Sequence, residues 1–451
     1  MKTYTKIEKN IKYINEITGE AADVTKREFM AARDTKAFLV FVDGLVNDTL
    51  IQDSVLESLI QNVLVTRISP HVNALIENVT SPSFSLIDDF DKIMLLVLSG
   101  DSALFIDGFD KALVIASRGF AGRGVPETAT ESVVFGSKEA FSESLRTNTM
   151  LIRRRIRNTS LRLEQLNMGT KTKTDIGIMY IEDMVSQEIL KDVKMKLENT
   201  DANVVLDIGY IEHFLELTPY SPFPISQITE RPDKAASAIL EGRIVIVCDN
   251  SPFVLIVPTV LVAFFQSSED FYGRKMILFL NRALRYLAFF ISIMLPGLYL
   301  AIVLYSPNMM PMGLLFRMEE ARREVPFPIF LELFLMDTAF ELLKEAGIRL
   351  PHALGGAIGV VGGIIIGQAA VEAGLASPIV VIIVALVAIC SFTIPAPQLF
   401  SASRICKYIL LFGAAFLGFF GFWIGFILII IHVASLKSFG LPYLQPFARK
   451  N

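Results

Sequence analysis

The chain has 451 residues, a formal net charge of −4 and 52% hydrophobic residues. It is too apolar for a water-soluble protein of this length, and it lacks the basic field that nucleic-acid binding needs. Charged residues are frequent up to Arg285 and sparse beyond it, so the composition predicts a soluble N-terminal part and a membrane-embedded C-terminal part. The three cysteines, Cys248, Cys390 and Cys406, are scattered and predict neither a disulfide framework nor a zinc site.

The soluble part begins with residues 1–30, a charged and periodic segment without the apolar stretch of a secretion signal. We expect a helical or flexible structure there. Two small mixed α/β subdomains are predicted to follow at 31–130 and 131–270, so the fold class is an α+β soluble region in front of an all-α transmembrane domain. A connector rich in Gly and Arg, at 118–128, marks the boundary between the subdomains.

Hydrophobic periodicity and turn residues predict the elements of both subdomains. In the first, a strand is predicted at 37–43, a helix after Asp48 and a three-stranded meander within 92–117. The second subdomain alternates strands and helices after an opening helix. The opening helix is predicted at 137–158, the strands at 174–181, 203–207 and 243–248, and the later helices at 186–199 and 235–241.

The opening helix of the second subdomain is strongly basic. Its arginines are Arg146, Arg153, Arg154, Arg155 and Arg157. Three interpretations stay open: a solvated face, an intersubunit salt-bridge strip, or a contact for anionic lipid head groups. The cluster is therefore a candidate interaction surface.

Four uncharged apolar runs predict the membrane domain, at 271–435, with a short C-terminal tail at 436–451. Each run is long enough to cross a hydrocarbon core of about 30 Å as a helix. The predicted spans are 286–305, 353–371, 378–394 and 408–431. A fifth apolar run, 253–265, is short and contains Pro258, so a buried strand or an interfacial segment is favoured there.

Residues 326–347 are predicted to form an amphipathic helix. Its polar face carries Asp337, Glu341, Lys344 and Glu345. Such a helix either lies in the membrane interface or lines a water-filled passage with its acidic side. Glu332 projects from the apolar face, where a carboxylate needs a partner or water, and pairing with an arginine within 317–323 is favoured over a role in ion passage.

Small residues predict how the spans pack. A glycine stripe occupies every fourth position of the second span, and a shorter one lies in the last span; both let a neighbouring backbone approach closely. The first stripe is Gly355, Gly359, Gly363 and Gly367, and the second is Gly421 and Gly425. Gln368 and Glu372, four residues apart, form a polar patch at the end of the first stripe. With Glu332, Asp337 and Glu341, they are the candidate ion-pathway residues.

Orientation is partly predicted by basic residues before the first span. Arg274, Lys275, Arg282 and Arg285 lie there, so the positive-inside rule predicts a cytoplasmic N-terminal region. The side of the C-terminus depends on whether 326–347 crosses the membrane, and it stays open.

Catalytic chemistry is not indicated. The four histidines lie far apart without the spacing of paired metal ligands, and nucleotide-binding and nucleophile motifs are missing from the sequence. We therefore expect no enzymatic activity, no catalytic residues, no cofactor and no metal site.

Five blocks, in order along the chain, carry a resemblance to a known family. They are GRGVPETATESVVFGSKEAF from residue 122, YSPFPISQITERPDKAASAI from 220, EEARREVPFPIFLE from 319, GIRLPHALGGAIGVVGG from 347 and LPYLQPFA from 441. From about Phe38 onward the chain resembles the A subunits of GerA-type spore germinant receptors, a family that includes the stage V sporulation AF-type proteins. The sequence does not separate these two roles.

The resemblance implies a multi-pass protein of the spore inner membrane that takes part in germination during nutrient sensing. It also implies two partners, a transporter-like B subunit and a lipoprotein C subunit, and self-association within membrane lipid around an ion-conducting path. Two alternatives remain: an assembly scaffold or accessory germination protein without its own conductance, and a membrane transporter. A transporter acting alone would need inverted-repeat halves, which unequal spans do not offer.

Overall fold

A computed structural model describes residues 1–31, 35–62, 79, 83–119, 126–128, 130–133, 135–200, 202–216, 218–349, 363 and 365–445. In this part of the chain, the N-terminal region contains two five-stranded antiparallel sheets with helices packed on them, and the C-terminal region is helical. The predicted fold class, an α+β region followed by an all-α domain, is confirmed.

The first sheet begins inside the first thirty residues. Its strands are β1 Val24–Ala31, β2 Thr35–Val42, β3 Phe84–Ile87, β4 Ser102–Ile106 and β5 Ala112–Ile115, and its helices are α1 Ile7–Thr18, α2 Asp48–Ile51 with a π-helix at Gln52–Asn62, and α3 Phe90–Val97. The strand order is β1-β2-β4-β5-β3. β1 pairs with β2 from Val24 opposite Val42 to Ala31 opposite Thr35. Residues 1–30 are therefore part of this unit and not a separate segment.

The second sheet has the same number of strands. They are β6 Leu161–Met168, β7 Thr174–Ile181, β8 Gln227–Thr229, β9 Ile244–Cys248 and β10 Val254–Val257, and the accompanying helices are α4 Leu145–Arg155, α5 Gln187–Glu198, α6 Ile208–Leu215 and α7 Pro232–Leu240. The strand order is β6-β7-β9-β10-β8. The apolar run at 253–265 thus contains a buried strand, β10, as predicted.

Two of the helices differ from the predictions. The first run of the expected meander, at 92–98, lies in helix α3, because Asp89 accepts a hydrogen bond from the backbone N–H of Asp91 and caps the helix. Its buried residues also repeat at helical spacing. The opening helix of the second unit is shorter than predicted and begins at Leu145, where Ser144 is the cap.

The strand predicted at 203–207 is also wrong. Val205 is buried, yet threonine side chains take the place of a strand partner for its backbone. Thr172 accepts a hydrogen bond from the Val205 N–H, and Thr174 donates one to the Val205 carbonyl. With both backbone groups satisfied, the segment can be buried without joining a sheet.

Both sheets share one hydrophobic core. Their inner faces form a continuous apolar cluster with α1, α3, α4 and α7. The π-helix covers the outer face of the first sheet, and α5 and α6 cover the outer face of the second. The soluble region is therefore a single packed unit, and its halves cannot separate without exposing this core.

The membrane part contains helices of different length. They are α8 Lys275–Tyr305, α9 Met312–Ala321, α10 Ile329–Arg349, α11 at 365–372, α12 Pro378–Phe392 and α13 Gln398–Ser435. Among the described residues, α8 and α13 are long and apolar enough to cross a membrane, and α12 is a shorter apolar helix. Most of the span predicted at 353–371, including Gly355 and Gly359, lies outside the described residues.

Helix α13 folds back on itself. Gly418 has a φ of 58° and a ψ of −140°, which interrupts the helix. A Cβ on Gly413 would lie 2.7 Å from the carbonyl oxygen of Gly421, and one on Gly425 would lie 3.5 Å from the side chain of Ile409. A straight helix would hold residues sixteen apart at a separation of about 24 Å.

The single span predicted at 408–431 is therefore wrong. The run divides at Gly418 into a first arm, 398–417, and a second arm, 419–435, which pack against each other. Hydropathy alone could not detect the turn, because the residues around Gly418 are as apolar as the arms.

The helices alternate in direction. Tyr305, at the end of α8, donates a hydrogen bond of 2.8 Å to the carbonyl of Ala415, so α8 runs parallel to the first arm. Helices α10 and α12 run the opposite way, from a shared contact between Glu332 and Ser377 to one between Lys344 and Ser391.

The chain beyond α13 returns to the soluble region. Its strands are β11 Lys437–Ser438 and β12 Leu441–Pro442. Ser438 accepts a hydrogen bond from the N–H of Thr259 at 3.0 Å and donates one to the carbonyl of Ile225 at 2.7 Å. Phe439 is buried in the core of the second sheet. The described part of the predicted tail is thus a docked hairpin.

Candidate functional site

Two acidic and two basic side chains meet between α10 and the first arm. Asp337 and Glu341 are four residues apart and share one face of α10, and Arg404 and Lys407 share one face of the first arm. The Lys407 Nζ lies 2.8 Å from Asp337 Oδ1 and 3.1 Å from Glu341 Oε1, and Arg404 lies 3.0 Å from the other oxygen of Glu341. Asp337 and Lys407 are each 4% exposed.

A third cation lies beside this charge cluster. The Lys344 Nζ is 3.1 Å from the Ser391 hydroxyl and lies 4.9 and 4.6 Å from the ring centroids of Phe392 and Phe400. Cation–π contacts of this kind stabilise a charge that has left bulk water. Three positive groups thus face two carboxylates, so the cluster is not an attractive path for a further cation in this state.

The charge cluster borders a small cavity of about 30 Å³. Ser292, Ser391 and Ser403 line it together with Asp337 and Glu341, and each serine hydroxyl donates a hydrogen bond to a carbonyl of its own helix. That volume holds a water molecule or a small ion. The Oδ2 atom of Asp337 is buried and makes no hydrogen bond within the described residues.

Glu332 lies apart from the charge cluster and is fully buried. Its Oε1 accepts hydrogen bonds from the Ser377 N–H and hydroxyl, at 2.6 and 2.5 Å. Arg322 approaches its other oxygen to 3.5 Å, so the expected arginine partner within 317–323 is present. These contacts join the first turns of α10 and α12.

Gln368 and Glu372 form a third, separate group. They are exposed and hydrogen-bond to each other at 2.8 Å. The described glycines of the same stripe pack inside the chain: a Cβ on Gly363 would lie 3.4 Å from Phe340, and one on Gly367 3.1 Å from Val381. The five candidate pathway residues therefore occupy three places.

The basic helix α4 uses its arginines inside the chain. Arg153 is 1% exposed and binds both oxygens of Asp23, at 2.6 and 2.7 Å, so the interpretation of a solvated face is wrong for this residue. Arg154 and Arg155 both bind Glu139. Burial would raise the pKa of Glu139, but the two guanidinium groups outweigh it and hold the pKa below its ordinary value.

Arg146 lies in the first turn of α4, and Arg157 follows the end of the helix by two residues. Arg146 binds Asp43 and Asp48 of the first sheet unit. Arg157 is exposed. Four of the five arginines are thus paired with carboxylates of this chain, and two of them, Arg146 and Arg153, join α4 to the first sheet unit.

The two arms of α13 are anchored to the soluble region by polar contacts. At the start of the first arm, Gln398 accepts a hydrogen bond from the Ile228 N–H at 3.0 Å and donates one to Glu212 at 2.9 Å. Near the end of the second arm, His432 lies 2.9 Å from the Ser221 hydroxyl. Burial raises the pKa of Glu212, even though hydrogen bonds favour its charged form.

Sequence reasoning missed Lys407 and Arg404, the partners of the acidic pair. Lys407 immediately precedes the predicted span at 408–431, and a span search discards flanking charges. A usable signal was present, because basic residues three apart on one apolar helix complement acidic residues four apart on another. Groups of three or more metal-ligating side chains do not occur among the described residues.

A packed α+β region is joined to a helical region in which α8 and α13 are long and apolar enough to cross a membrane, the arrangement of a membrane protein with a large extramembrane part. The chain belongs to the Bacillus/Clostridium GerA spore germination protein family, whose model matches residues 12–451. This match begins well before Phe38, where the resemblance was expected to start. It includes β1, which the structure assigns to the first sheet.

Three comparisons illustrate the family. The chain is 38% identical to Uncharacterized membrane protein YfkQ of Bacillus subtilis (strain 168), covering 98% of this chain and 87% of that protein. It is 39% identical to Spore germination protein KA of the same organism, over 98% of this chain and 81% of that protein. The crystal structure of the N-terminal domain of the A subunit of the Bacillus megaterium spore germinant receptor GerK3 is 32% identical, with a TM-score of 0.46, over 58% of this chain and 98% of that one.

Proposed function

We propose that this chain is the A-type membrane subunit of a spore germinant receptor and that it couples nutrient sensing to the release of ions. It works with a transporter-like B subunit and a lipoprotein C subunit, and several copies assemble around an ion-conducting path in the spore inner membrane. The chain performs no covalent chemistry. Family membership supports the germination role, and the coupling to ions rests on the chain's own residues.

The observation that carries the ion-release proposal is the buried charge cluster. Charged side chains inside apolar helices are costly, and in membrane proteins they mark ion and substrate pathways. Here Asp337 and Glu341 lie between α10 and the first arm, beside a cavity with serine hydroxyls. Carboxylates and hydroxyls are the groups that coordinate small cations.

The orientation follows from how the membrane domain begins and ends. Helix α8 starts beside the soluble region, where Arg282 and Arg285 bind the buried Asp270, and the chain after α13 docks on the same region. An even number of crossings is required for this arrangement. The exposed Arg274 and Lys275 favour the cytoplasmic side, the spore core, for the soluble region and the docked hairpin.

A second candidate is an assembly scaffold or accessory germination protein without its own conductance. The ion pairs that join α10 to the first arm favour it, because they can serve packing alone. Neutralising the membrane carboxylates separates the two functions, since a scaffold tolerates it and a conductor does not.

The decisive experiment replaces Asp337 by Asn and Glu341 by Gln in spores that carry this chain with its neighbouring receptor subunits. Nutrient-triggered K⁺ release, followed with an ion-selective electrode, should slow by at least about ten-fold. A carboxylate 4 Å from a cation contributes about 4 kcal/mol at an effective dielectric constant of about 20, so the loss of two is more than sufficient.

The matched control replaces the exposed carboxylates Glu319 and Glu320 by Gln, which removes the same charge far from the charge cluster. Membrane abundance of each variant is measured by immunoblotting. Normal K⁺ release from the Asp337/Glu341 variant at normal abundance would favour the scaffold.

A further inference from the structure

Lys407 occupies the position that a bound cation would take. Its ammonium group lies 2.8 Å from Asp337 Oδ1 and 3.1 Å from Glu341 Oε1, distances typical of a charged hydrogen bond. An ammonium group and a potassium ion carry the same charge and have similar size. Lys407 is 4% exposed, so these contacts are shielded from bulk water.

Asp337 has binding capacity that Lys407 does not use. Its second oxygen, Oδ2, is buried and accepts no hydrogen bond of normal geometry from the described residues, although the Tyr408 hydroxyl interacts with this carboxylate. The Asp337 side chain is only 5% exposed. An ionised carboxylate accepts several hydrogen bonds or cation contacts, and a buried oxygen without one is unfavourable. The same side chain lines the 30 Å³ cavity, together with the hydroxyls of Ser391 and Ser403.

The charge balance selects a monovalent ligand. Arg404 lies 3.0 Å from the Glu341 oxygen that Lys407 does not contact, so its ion pair does not depend on Lys407. If Lys407 leaves, Asp337 and Glu341 face Arg404 and Lys344 alone, and the cluster has lost one positive charge. One monovalent cation replaces the charge that Lys407 supplied, and a divalent cation would add one more.

We propose that Asp337 and Glu341 form a binding site for a monovalent cation and that Lys407 fills this site as a tethered cation. The inference deepens the proposed function, on which it rests for its role in ion release: with Lys407 in place, the site is closed to free ions. Lys407 is a positioning residue of the pathway, and withdrawing it opens the site.

The first arm links this site to the soluble region. Gln398, which binds Glu212 and the Ile228 backbone, precedes Lys407 by nine residues on the same uninterrupted helix. Nine residues of helix span about 14 Å and transmit a displacement rigidly. A change in the soluble segment that holds Gln398 would therefore move Lys407 relative to α10.

The test measures cation binding directly and without conduction. The full-length chain and its Lys407→Met variant are purified in detergent, and their thermal unfolding midpoints are compared in KCl and in N-methylglucamine chloride of equal ionic strength. The larger cation cannot enter the cavity. K⁺ should raise the midpoint of Lys407→Met by about 2 to 4 °C and leave the wild type unchanged, because a ligand stabilises only a site that it can occupy.

Two further variants act as controls. Lys12→Met removes an exposed lysine, so K⁺ should not change its thermal midpoint. Lys407→Met combined with Asp337→Asn removes the proposed site, so K⁺ should not change the midpoint of that double variant either. If Lys407→Met is too unstable to purify in N-methylglucamine, K⁺ should rescue it. A midpoint of Lys407→Met that depends on pH but not on K⁺ would mean that a proton takes the place of Lys407, and the inference would be wrong.

Binding and conduction can fail separately. If K⁺ raises the thermal midpoint of Lys407→Met but spores of the Asp337/Glu341 variant release K⁺ normally, the cation site is supported and the pathway is refuted. If those spores release K⁺ slowly but K⁺ does not change the thermal midpoint of Lys407→Met, the pathway is supported and the role of Lys407 as a tethered cation is refuted.

Discussion

Replacing Arg153 by Met should destabilise the soluble region more than the same replacement of the exposed Arg157. The Arg153 guanidinium binds both oxygens of Asp23, and its Nη1 donates a third hydrogen bond to the carbonyl of Leu161 at 3.1 Å. The side chains of Arg153 and Asp23 are 1% and 7% exposed. Methionine fills a similar volume but leaves Asp23 buried without a counter-ion.

The expected loss of unfolding free energy is about 3 to 5 kcal/mol, the usual effect of removing one partner of a buried ion pair. For a region of this size, that corresponds to a fall of about 6 to 20 °C in the thermal midpoint. Replacing both partners, as Arg153→Met with Asp23→Leu, should restore most of the stability, because no uncompensated charge remains.

The assay is thermal unfolding of the full-length chain in detergent, followed by circular dichroism. Arg157→Met is the matched control, since Arg157 is exposed and its replacement should change the free energy by no more than about 0.5 kcal/mol. If Arg153→Met unfolds within 1 °C of Arg157→Met, the argument that this ion pair holds the two sheet units together fails.

Two other predictions concern the membrane helices. Gly421→Ala should destabilise the hairpin of α13, because the added Cβ would collide with the Gly413 carbonyl. Gly313→Ala should be tolerated, because a Cβ there meets nothing within 4 Å. Equal thermal stability of the two variants after detergent extraction would contradict this prediction. Cysteines that replace Tyr220 and Leu444 should react with an impermeant maleimide added to one side of the membrane, and a cysteine that replaces Met309 should react only from the opposite side. Labelling of the Leu444 and Met309 positions from the same side would refute the topology.

The labelling experiment has a low background. The three native cysteines are free and buried. Burial raises the pKa of Cys248 to about 12, so its reactive thiolate is scarce at neutral pH.

Elements with a strong local pattern could be predicted from the sequence. The strand at 174–181 and the strand and helix near 243–248 and 186–199 are found almost at their predicted bounds, because period-two alternation and helical amphipathicity are read from neighbouring residues. The run at 92–98 failed because a continuous apolar segment fits a buried strand and a buried helix equally well. Its cap, Asp89, was the deciding residue.

The candidate site was harder to predict, because it depends on pairing between distant segments. The acidic face of α10 was visible in the sequence, as was the need of Glu332 for an arginine. The ion pair between Asp337 and Lys407 was not visible in the sequence, since seventy residues separate them and the hairpin at Gly418 sets their register. Gln368 and Glu372 share a helix face as expected, yet only the packing of α11 reveals that they lie away from the charge cluster.

The docked C-terminal hairpin has a consequence for biosynthesis. Phe439 completes the core of the second sheet, and Ser438 satisfies backbone groups at 225 and 259, so part of the N-terminal region is supplied by residues that the ribosome delivers only after the last apolar arm. Domains usually fold in the order of synthesis. Here the soluble region becomes complete only after the last apolar arm has been inserted, which ties its final maturation to successful entry of the whole helical domain into the bilayer.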